Sequence, residues 1–179
     1  MGRLLAALDR LKLGDNTIII FLGDHGYHLG ERSRWNKNTL FDRSCRAPLI
    51  IAAPGAKAGQ VFRAPVEFVD IYPTVVELCG LQAPHALAGK SLRPVLEDPT
   101  RAHKPAAFTL VTRSPQKFGQ SVRTERWRFT QWSDGTSELY DHDTDPEETR
   151  DLSTSSEHAA TIAELKERLH SLPPWLPAK

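Results

Sequence analysis

Two polar side chains follow directly after an apolar run, in the sequence Gly23-Asp24-His25-Gly26. Residues 17–22 are apolar and largely β-branched, which predicts a buried strand, and ligands in open α/β sheets bind just beyond the carboxyl ends of such strands. A carboxylate beside an imidazole can coordinate a divalent cation, either with both groups as ligands or with one holding the other in place. A glycine-flanked turn that binds nothing is the alternative interpretation.

A polar stretch at residues 27–46 comes next, and connections of this length in compact domains are usually functional or disordered. It contains His28, Glu31, Trp35 and Lys37. Taken alone, Lys37 is typical of an exposed surface lysine. His28 either lines a pocket or packs inside the loop.

The motifs around these residues resemble the type I sulfatases of the alkaline phosphatase superfamily. Within them the chain is most similar to the iduronate-2-sulfatase-like and choline-sulfatase-like members. The resemblance covers nearly the whole chain and implies the C-terminal part of a sulfatase. Its most specific feature is Gly-Asp-His-Gly followed by Trp-x-Lys, and the segments that carry it are 4–22, 21–31, 35–42, 46–51, 69–81, 89–92 and 138–152.

The resemblance implies roles for individual residues. Asp24 and His25 match two ligands of the family's divalent cation, usually Ca²⁺. Lys37 matches a basic residue that contacts the sulfate, and a fixed ammonium would stabilise the charge that shifts between oxygens as the S–O bond breaks. We place Lys37 and His28 among the candidate catalytic residues, His28 as a side chain that could line the substrate pocket.

The family's nucleophile is a formylglycine made from a Cys-x-Pro-x-Arg segment. Neither Cys45, followed by Arg-Ala-Pro-Leu, nor Cys79, followed by Gly-Leu-Gln-Ala, fits that pattern. We therefore expect the nucleophile and the paired aspartates of the metal site upstream, in an N-terminal part that would be a partner of this chain. Alone, the chain is expected to bind Ca²⁺ weakly and not to turn over a sulfated carbohydrate or small sulfate ester.

Two alternatives stay open at this point. One is another phosphohydrolase of the alkaline phosphatase superfamily, although such enzymes usually need more His and Asp ligands. The other is a non-catalytic glycan-binding protein. Nucleic acid and membrane are not expected as partners, because the net charge is only +1 and no apolar run approaches the ~20 residues of a membrane helix.

The predicted fold class is α/β: the C-terminal part of a sulfatase-like mixed sheet flanked by helices, in residues 1–100, and a small antiparallel sheet with a terminal helix, in residues 101–179. The first helix should bury a leucine stripe, and the strand at 17–22 should lie in a parallel sheet. Because that strand lacks neighbours, we expect exposed apolar surface and association. The other predicted elements are a strand at 48–53, a helix within 66–81, a short helix at 92–96, strands at 106–112, 120–124, 127–132 and 138–141, and a last helix from about 155 that ends before Pro173, Pro174 and Pro177.

Overall fold

The structure is a computed structural model of the chain, and it describes residues 1–114 and 116–172. The helices are α1 (Gly2–Arg10), α2 (Asp42–Cys45), α3 (Ile71–Leu78), α4 (Arg93–Glu97) and α5 (Ala159–His170). The strands are β1 (Ile19–Leu22), β2 (His28–Leu29), β3 (Trp35–Asn36), β4 (Leu49–Ala52), β5 (Ala107–Ser114), β6 (Lys117–Arg123), β7 (Trp127–Trp132) and β8 (Ser137–Asp141). Among the described residues, no helix has the length and apolarity needed to cross a membrane.

The chain forms two compact units that alternate along the sequence. The first unit contains residues 1–23, 48–62 and 68–103, and the second contains residues 24–47, 63–67 and 104 onwards. The candidate site residues 24–47 therefore belong to the same unit as the C-terminal sheet. The division at residue 100 stays a prediction.

The first unit contains the pair β1–β4, and the two strands are antiparallel, with Phe21 opposite Ile50. The expectation of a parallel arrangement for β1 is wrong. A continuous apolar run predicts burial but carries no information on strand direction. Burial is also less than expected, since Phe21 is 43% and Ile50 61% exposed.

Helix α1 has an apolar stripe, as predicted, but the stripe is not buried. Leu4, Leu5 and Leu11 are all exposed, and α1 contains no buried residue. Leucine periodicity shows that a helix has an apolar face, but it does not supply the surface that covers that face. The apolar surface expected from the sequence is therefore present on α1 and on the β1–β4 pair.

The sequence predicts an N-cap at Asp70 and a helix end before Gly80, and α3 has these ends. Asp70 occupies the N-cap position, and Gly80 has a φ of +66°, the left-handed conformation that glycine commonly adopts after a helix. The Asp70 carboxylate does not cap the helix. It is buried and accepts a hydrogen bond from the Lys90 backbone N–H at 2.8 Å, while His103 Nε2 lies 3.3 Å from its other oxygen.

The helical spacing of Val69, Tyr72, Val75, Val76 and Cys79 predicts that they form the buried face of α3, and this prediction is largely wrong. Tyr72 and Cys79 are exposed, so Cys79 is not the core residue expected from its apolar neighbours. Pro73 and Thr74 are buried instead. The Thr74 hydroxyl donates to the Asp70 carbonyl and accepts from the Leu92 N–H at 2.8 Å, so a polar contact with the following loop determines which side of the helix is covered.

The second unit is organised by the antiparallel sheet β5-β6-β7-β8, in which neighbours in the chain are neighbours in the sheet. The predicted meander and terminal helix are confirmed. Helix α5 buries Leu165 and Leu169 in the same apolar cluster as Val122, Phe129 and Leu139. This cluster is the core of the unit, and Pro173, Pro174 and Pro177 lie outside the described residues.

Candidate active site

Three side chains from the predicted loop converge at one point of the second unit. The Asp24 carboxylate lies 3.2 Å from His25 Nε2, and Lys37 Nζ lies 2.7 Å from the same nitrogen. The Asp24 side chain is 83% exposed and that of His25 is 30% exposed, so the group is accessible to a ligand. A carboxylate, an imidazole and an amine therefore lie together, although Lys37 is twelve residues from His25 in the sequence.

The two nitrogens of the His25 ring have different surroundings. Nδ1 lies 2.6 Å from the Gly26 carbonyl oxygen, which can only accept a hydrogen bond, so Nδ1 carries a proton. Nε2 lies between the Lys37 ammonium, which can only donate, and an Asp24 carboxylate oxygen, which can only accept. A histidine whose Nδ1 is held by a backbone carbonyl and whose Nε2 is directed towards charged groups has the usual orientation of a metal-binding histidine.

A close backbone approach at Gly26 shapes the loop after this pair. The Gly26 N–H donates to the Ser44 carbonyl at 2.8 Å. A Cβ at Gly26 would overlap the Arg43 carbonyl, so only glycine allows the two backbone segments to lie this close.

Lys37 is positioned by the hairpin of β2 and β3, in which Leu29 pairs with Trp35 and His28 with Asn36. Asn36 has a φ of +88°, in a region of backbone space that asparagine tolerates better than most residues. Its side-chain carbonyl accepts a hydrogen bond from the Lys37 N–H at 2.7 Å. The left-handed turn at Asn36 thus leads the chain out of β3 directly into Lys37.

His28 lies inside the loop and is fully buried. Its Nε2 lies 2.9 Å from the Thr39 hydroxyl, which lies 2.7 Å from the Ser44 hydroxyl. The edge of the ring meets Phe41, and Nδ1 has no hydrogen-bond partner among the described residues. His28 thus joins the hairpin to the segment beyond Lys37, and its role in a substrate pocket stays a prediction.

A buried ionic network fastens helix α2 to the C-terminal sheet. Arg128 on β7 is 2% exposed, and its guanidinium donates to Glu148 at 2.6 Å and to Asp42 at 2.8 Å. Glu148 also accepts from the Asp42 N–H at 2.8 Å. Burial raises the pKa of Asp42, but the guanidiniums of Arg128 and Arg123 outweigh it and hold that pKa below its ordinary value.

This network brings together Asp42, His142 and Glu148, whose possible ligand atoms lie within 4.8 Å of one another. The group does not fit a divalent cation, because the positive charge between the carboxylates is already supplied by Arg128. Sequence reasoning missed the network. Its members are up to 106 residues apart, and no local pattern distinguishes a buried arginine from a surface one.

The two cysteines do not contribute to the site. Cys45 is partly buried, and burial raises the pKa of its thiol, so it does not have the low pKa of a reactive cysteine. Cys79 is exposed and belongs to the first unit.

Comparisons with known proteins agree with this fold. A sulfatase from Formosa agariphila is 37% identical over 148 residues, which cover 83% of this chain and 28% of that protein. A solved structure of a protein in complex with its substrate D-glucosamine-2-N,6-O-disulfate has a TM-score of 0.83 and 32% identity, over 94% of this chain and 36% of that one. A phosphonate monoester hydrolase from Silicibacter pomeroyi has a TM-score of 0.86 and 31% identity, over 94% of this chain and 37% of that one.

The fold and these similarities define the chain as an α/β protein of the alkaline phosphatase superfamily. It belongs to the sulfatase family: residues 30–173 match the family model described as N-sulphoglucosamine sulphohydrolase, C-terminal. The chain spans about a third of the length of the relatives it matches.

Proposed function

We propose that this chain provides the cation-binding and sulfate-binding part of a sulfuric ester hydrolase that acts on sulfated carbohydrates or a small sulfate ester. The observation that carries the proposal is that the Asp24 carboxylate and the Lys37 ammonium both meet His25 Nε2, at 3.2 Å and 2.7 Å. Each group has the chemistry that this reaction needs, and all three are reachable from solvent.

Asp24 and His25 would hold a divalent cation, for which we propose Ca²⁺. The carboxylate offers oxygen ligands, and His25 offers Nε2 with its orientation fixed by the Gly26 carbonyl. When bound, the cation would act as a Lewis acid on the sulfate group. Ca²⁺ takes 6–8 ligands, so these two residues alone are expected to bind it weakly.

Lys37 would contact the sulfate oxygens. Its ammonium is a compact charge on a flexible stem, and the backbone turn at Asn36 fixes where that stem begins. A sulfate ester arriving at Asp24 and His25 would compete with the imidazole for this ammonium. Lys37 would then turn its hydrogen bonds from Nε2 to the ester.

Turnover needs a nucleophile, and neither cysteine of the sequence stands in a Cys-x-Pro-x-Arg segment. We propose that the formylglycine and further cation ligands come from an N-terminal part, and that this chain alone does not hydrolyse esters. As for the sugar, the motifs favour an iduronate-2-sulfatase-like substrate. The relative bound to D-glucosamine-2-N,6-O-disulfate favours a sulfated amino sugar, and both are sulfated carbohydrates.

A second candidate is the hydrolysis of phosphonate monoesters, favoured by the similarity to the Silicibacter pomeroyi enzyme. Such an ester carries one negative charge on a tetrahedral group, as a sulfate ester does. The same carboxylate, imidazole and amine would suit either. The motif resemblance to sulfatases and the matched family model place the sulfate ester first.

The test is a calorimetric titration of the 179-residue chain with CaCl₂ and then with an aryl sulfate. We expect weak Ca²⁺ binding that is lost in Asp24→Asn and kept in Asp15→Asn, an exposed aspartate of the other unit. We expect Lys37→Ala to weaken the binding of the aryl sulfate. Equal Ca²⁺ affinity in both aspartate variants would show that the cation site is wrong.

Two further measurements separate the alternatives. Tighter binding of an aryl phosphonate monoester than of the aryl sulfate would favour the second candidate. Release of product from a chromogenic aryl sulfate by the purified chain would show that it is a complete enzyme. Binding of a neutral glycan as tight as that of its sulfated form would instead indicate a glycan-binding protein.

A further inference from the structure

A concave feature of the second unit is lined by residues that neighbour Lys37 in the chain. The segment around β3 and the end of β5 form an open pocket of about 410 Å³, within the usual size range of small-molecule sites. Its lining includes Arg34, Trp35, Asn36, Asn38, Thr112 and Arg113. All of these residues belong to the second unit.

The pocket carries two positive charges and no acidic side chain in its lining. Neither Arg34 nor Arg113 has a carboxylate partner within residues 1–114 and 116–172, and both are exposed. Other arginines of this unit are paired, for example Arg43 with Glu147 and Arg126 with Asp141. The pocket arginines are therefore available to an anionic ligand.

The remaining lining suits a sugar. Trp35 is 69% exposed, which is unusual for so large an apolar ring, and an exposed indole can pack against the apolar face of a sugar ring. The amides of Asn36 and Asn38 offer donors and acceptors for hydroxyl groups. The guanidinium of Arg113 lies 5.3 Å from the centre of the Trp132 ring, a cation–π contact that restricts where its charge can be.

The position of the pocket connects it to the sulfate contact. Asn36 and Asn38 are the neighbours of Lys37 in the chain, and consecutive Cα atoms are about 3.8 Å apart. The backbone of Lys37 therefore lies between two residues of the pocket wall. We assume that a ligand held at the Lys37 ammonium also extends into the pocket.

We propose that this pocket is a subsite for a second anionic group of the substrate, a carboxylate or a further sulfate on a sugar. Arg34 and Arg113 bind the anion, and Trp35 packs against the ring that carries it. This assignment rests on the proposed function, because it assumes that the first sulfate lies at Lys37. It makes the chain selective for carbohydrates with two negative groups over those with one.

The experiment compares three ligands by calorimetry on the full chain: N-acetylglucosamine 6-sulfate, glucosamine 2-N,6-O-disulfate and a sulfated uronic acid. The first has one anionic group, and the other two add a sulfate or a carboxylate. We expect the second anionic group to tighten binding. Arg34→Gln and Arg113→Gln should each reduce this gain in affinity by a factor of about two to five, as for exposed ion pairs. The matched control is Arg150→Gln, an exposed arginine outside the pocket that removes the same charge.

The outcomes separate this inference from the proposed function. Lys37→Ala should weaken the binding of all three ligands and leave the difference in affinity between them unchanged. If Lys37→Ala changes nothing while the pocket variants reduce the gain, the proposed sulfate contact is wrong, and the pocket is an anion site that does not depend on Lys37. If the second anion brings no gain, or if Arg34→Gln and Arg113→Gln behave like Arg150→Gln, the subsite is wrong. If no ligand binds, both are wrong.

Discussion

Replacing Arg128 with methionine tests how the candidate active site is held in place. The guanidinium donates to Glu148 at 2.6 Å, to Asp42 at 2.8 Å and to the Ser121 hydroxyl at 3.3 Å, and it is almost completely buried. Methionine fills a similar volume but leaves Glu148 without its guanidinium and leaves Asp42 with the longer contact to Arg123, at 3.6 Å. Helix α2 then loses its ion pair with β7 and keeps the hydrogen bond from the Asp42 N–H to Glu148.

The loss of stability in this variant follows from the burial of Glu148, the carboxylate that remains in place. Glu148 is 1% exposed, and removing one partner of a buried ion pair typically costs about 3–5 kcal/mol. That is a large share of the roughly 5–15 kcal/mol that stabilises a folded domain. We therefore expect Arg128→Met to lower the free energy of unfolding of the second unit by about 3–5 kcal/mol at neutral pH.

The loss of stability in Arg128→Met should depend on pH, and the pKa of Asp42 determines whether it grows or shrinks as the pH falls. This pKa lies below its ordinary value of 3.8, so the ion pair stabilises the fold above that pH and loses its effect as the pH falls through the lower, folded pKa. In the variant, Asp42 lacks the Arg128 guanidinium and takes up a proton more readily. The difference between the two proteins should therefore shrink below about pH 4.

Urea unfolding followed by tryptophan fluorescence measures the effect, because Trp127 and Trp132 lie on the same strand as Arg128. Arg150→Met serves as the control and should change the free energy of unfolding by less than about 0.5 kcal/mol. The reasoning is refuted if Arg128→Met costs less than about 1 kcal/mol, or if its cost is the same at pH 7 and in acid.

Two further predictions concern the loop and the first unit. Gly26→Ala places a methyl group against the Arg43 carbonyl, so we expect lower thermal stability together with loss of Ca²⁺ binding. An unchanged melting temperature and unchanged Ca²⁺ binding would contradict the close approach of the Gly26 and Arg43 backbones. Ile50→Lys puts a charge on the exposed β1–β4 pair, opposite Phe21, and should shift the chain towards monomer in sedimentation velocity. The same distribution as wild type would show that this surface does not cause association.

Much of the fold was predictable because its signals are local. Alternating strands and turn residues indicated the meander at 107–141, and the ends of α3 followed from Asp70 and Gly80. The direction of β1 and the burial of α1 were not predictable, because they depend on what lies against these elements rather than on their own pattern. Apolar residues show that a face would be buried, but not that its partner is present.

The grouping of Asp24, His25 and Lys37 was predictable for a different reason. Gly23-Asp24-His25-Gly26 and Lys37 form a recognisable motif, and the structure brings Asp24, His25 and Lys37 together. The groups that hold the loop were not predictable. His28 forms its contact through Thr39, and Arg128 and Glu148 become neighbours only when the chain has folded.

The link between Asp42 and Glu148 also sets an order of events during synthesis. Asp42 leaves the ribosome 106 residues before Glu148, which at typical rates of translation is a delay of roughly 5–20 s. Through that interval the segment with Asp24, His25 and Lys37 lacks its long-range anchors. Until Glu148 has been made, this segment cannot form the buried contacts that fasten it to the rest of the unit, and it is open to proteases and chaperones.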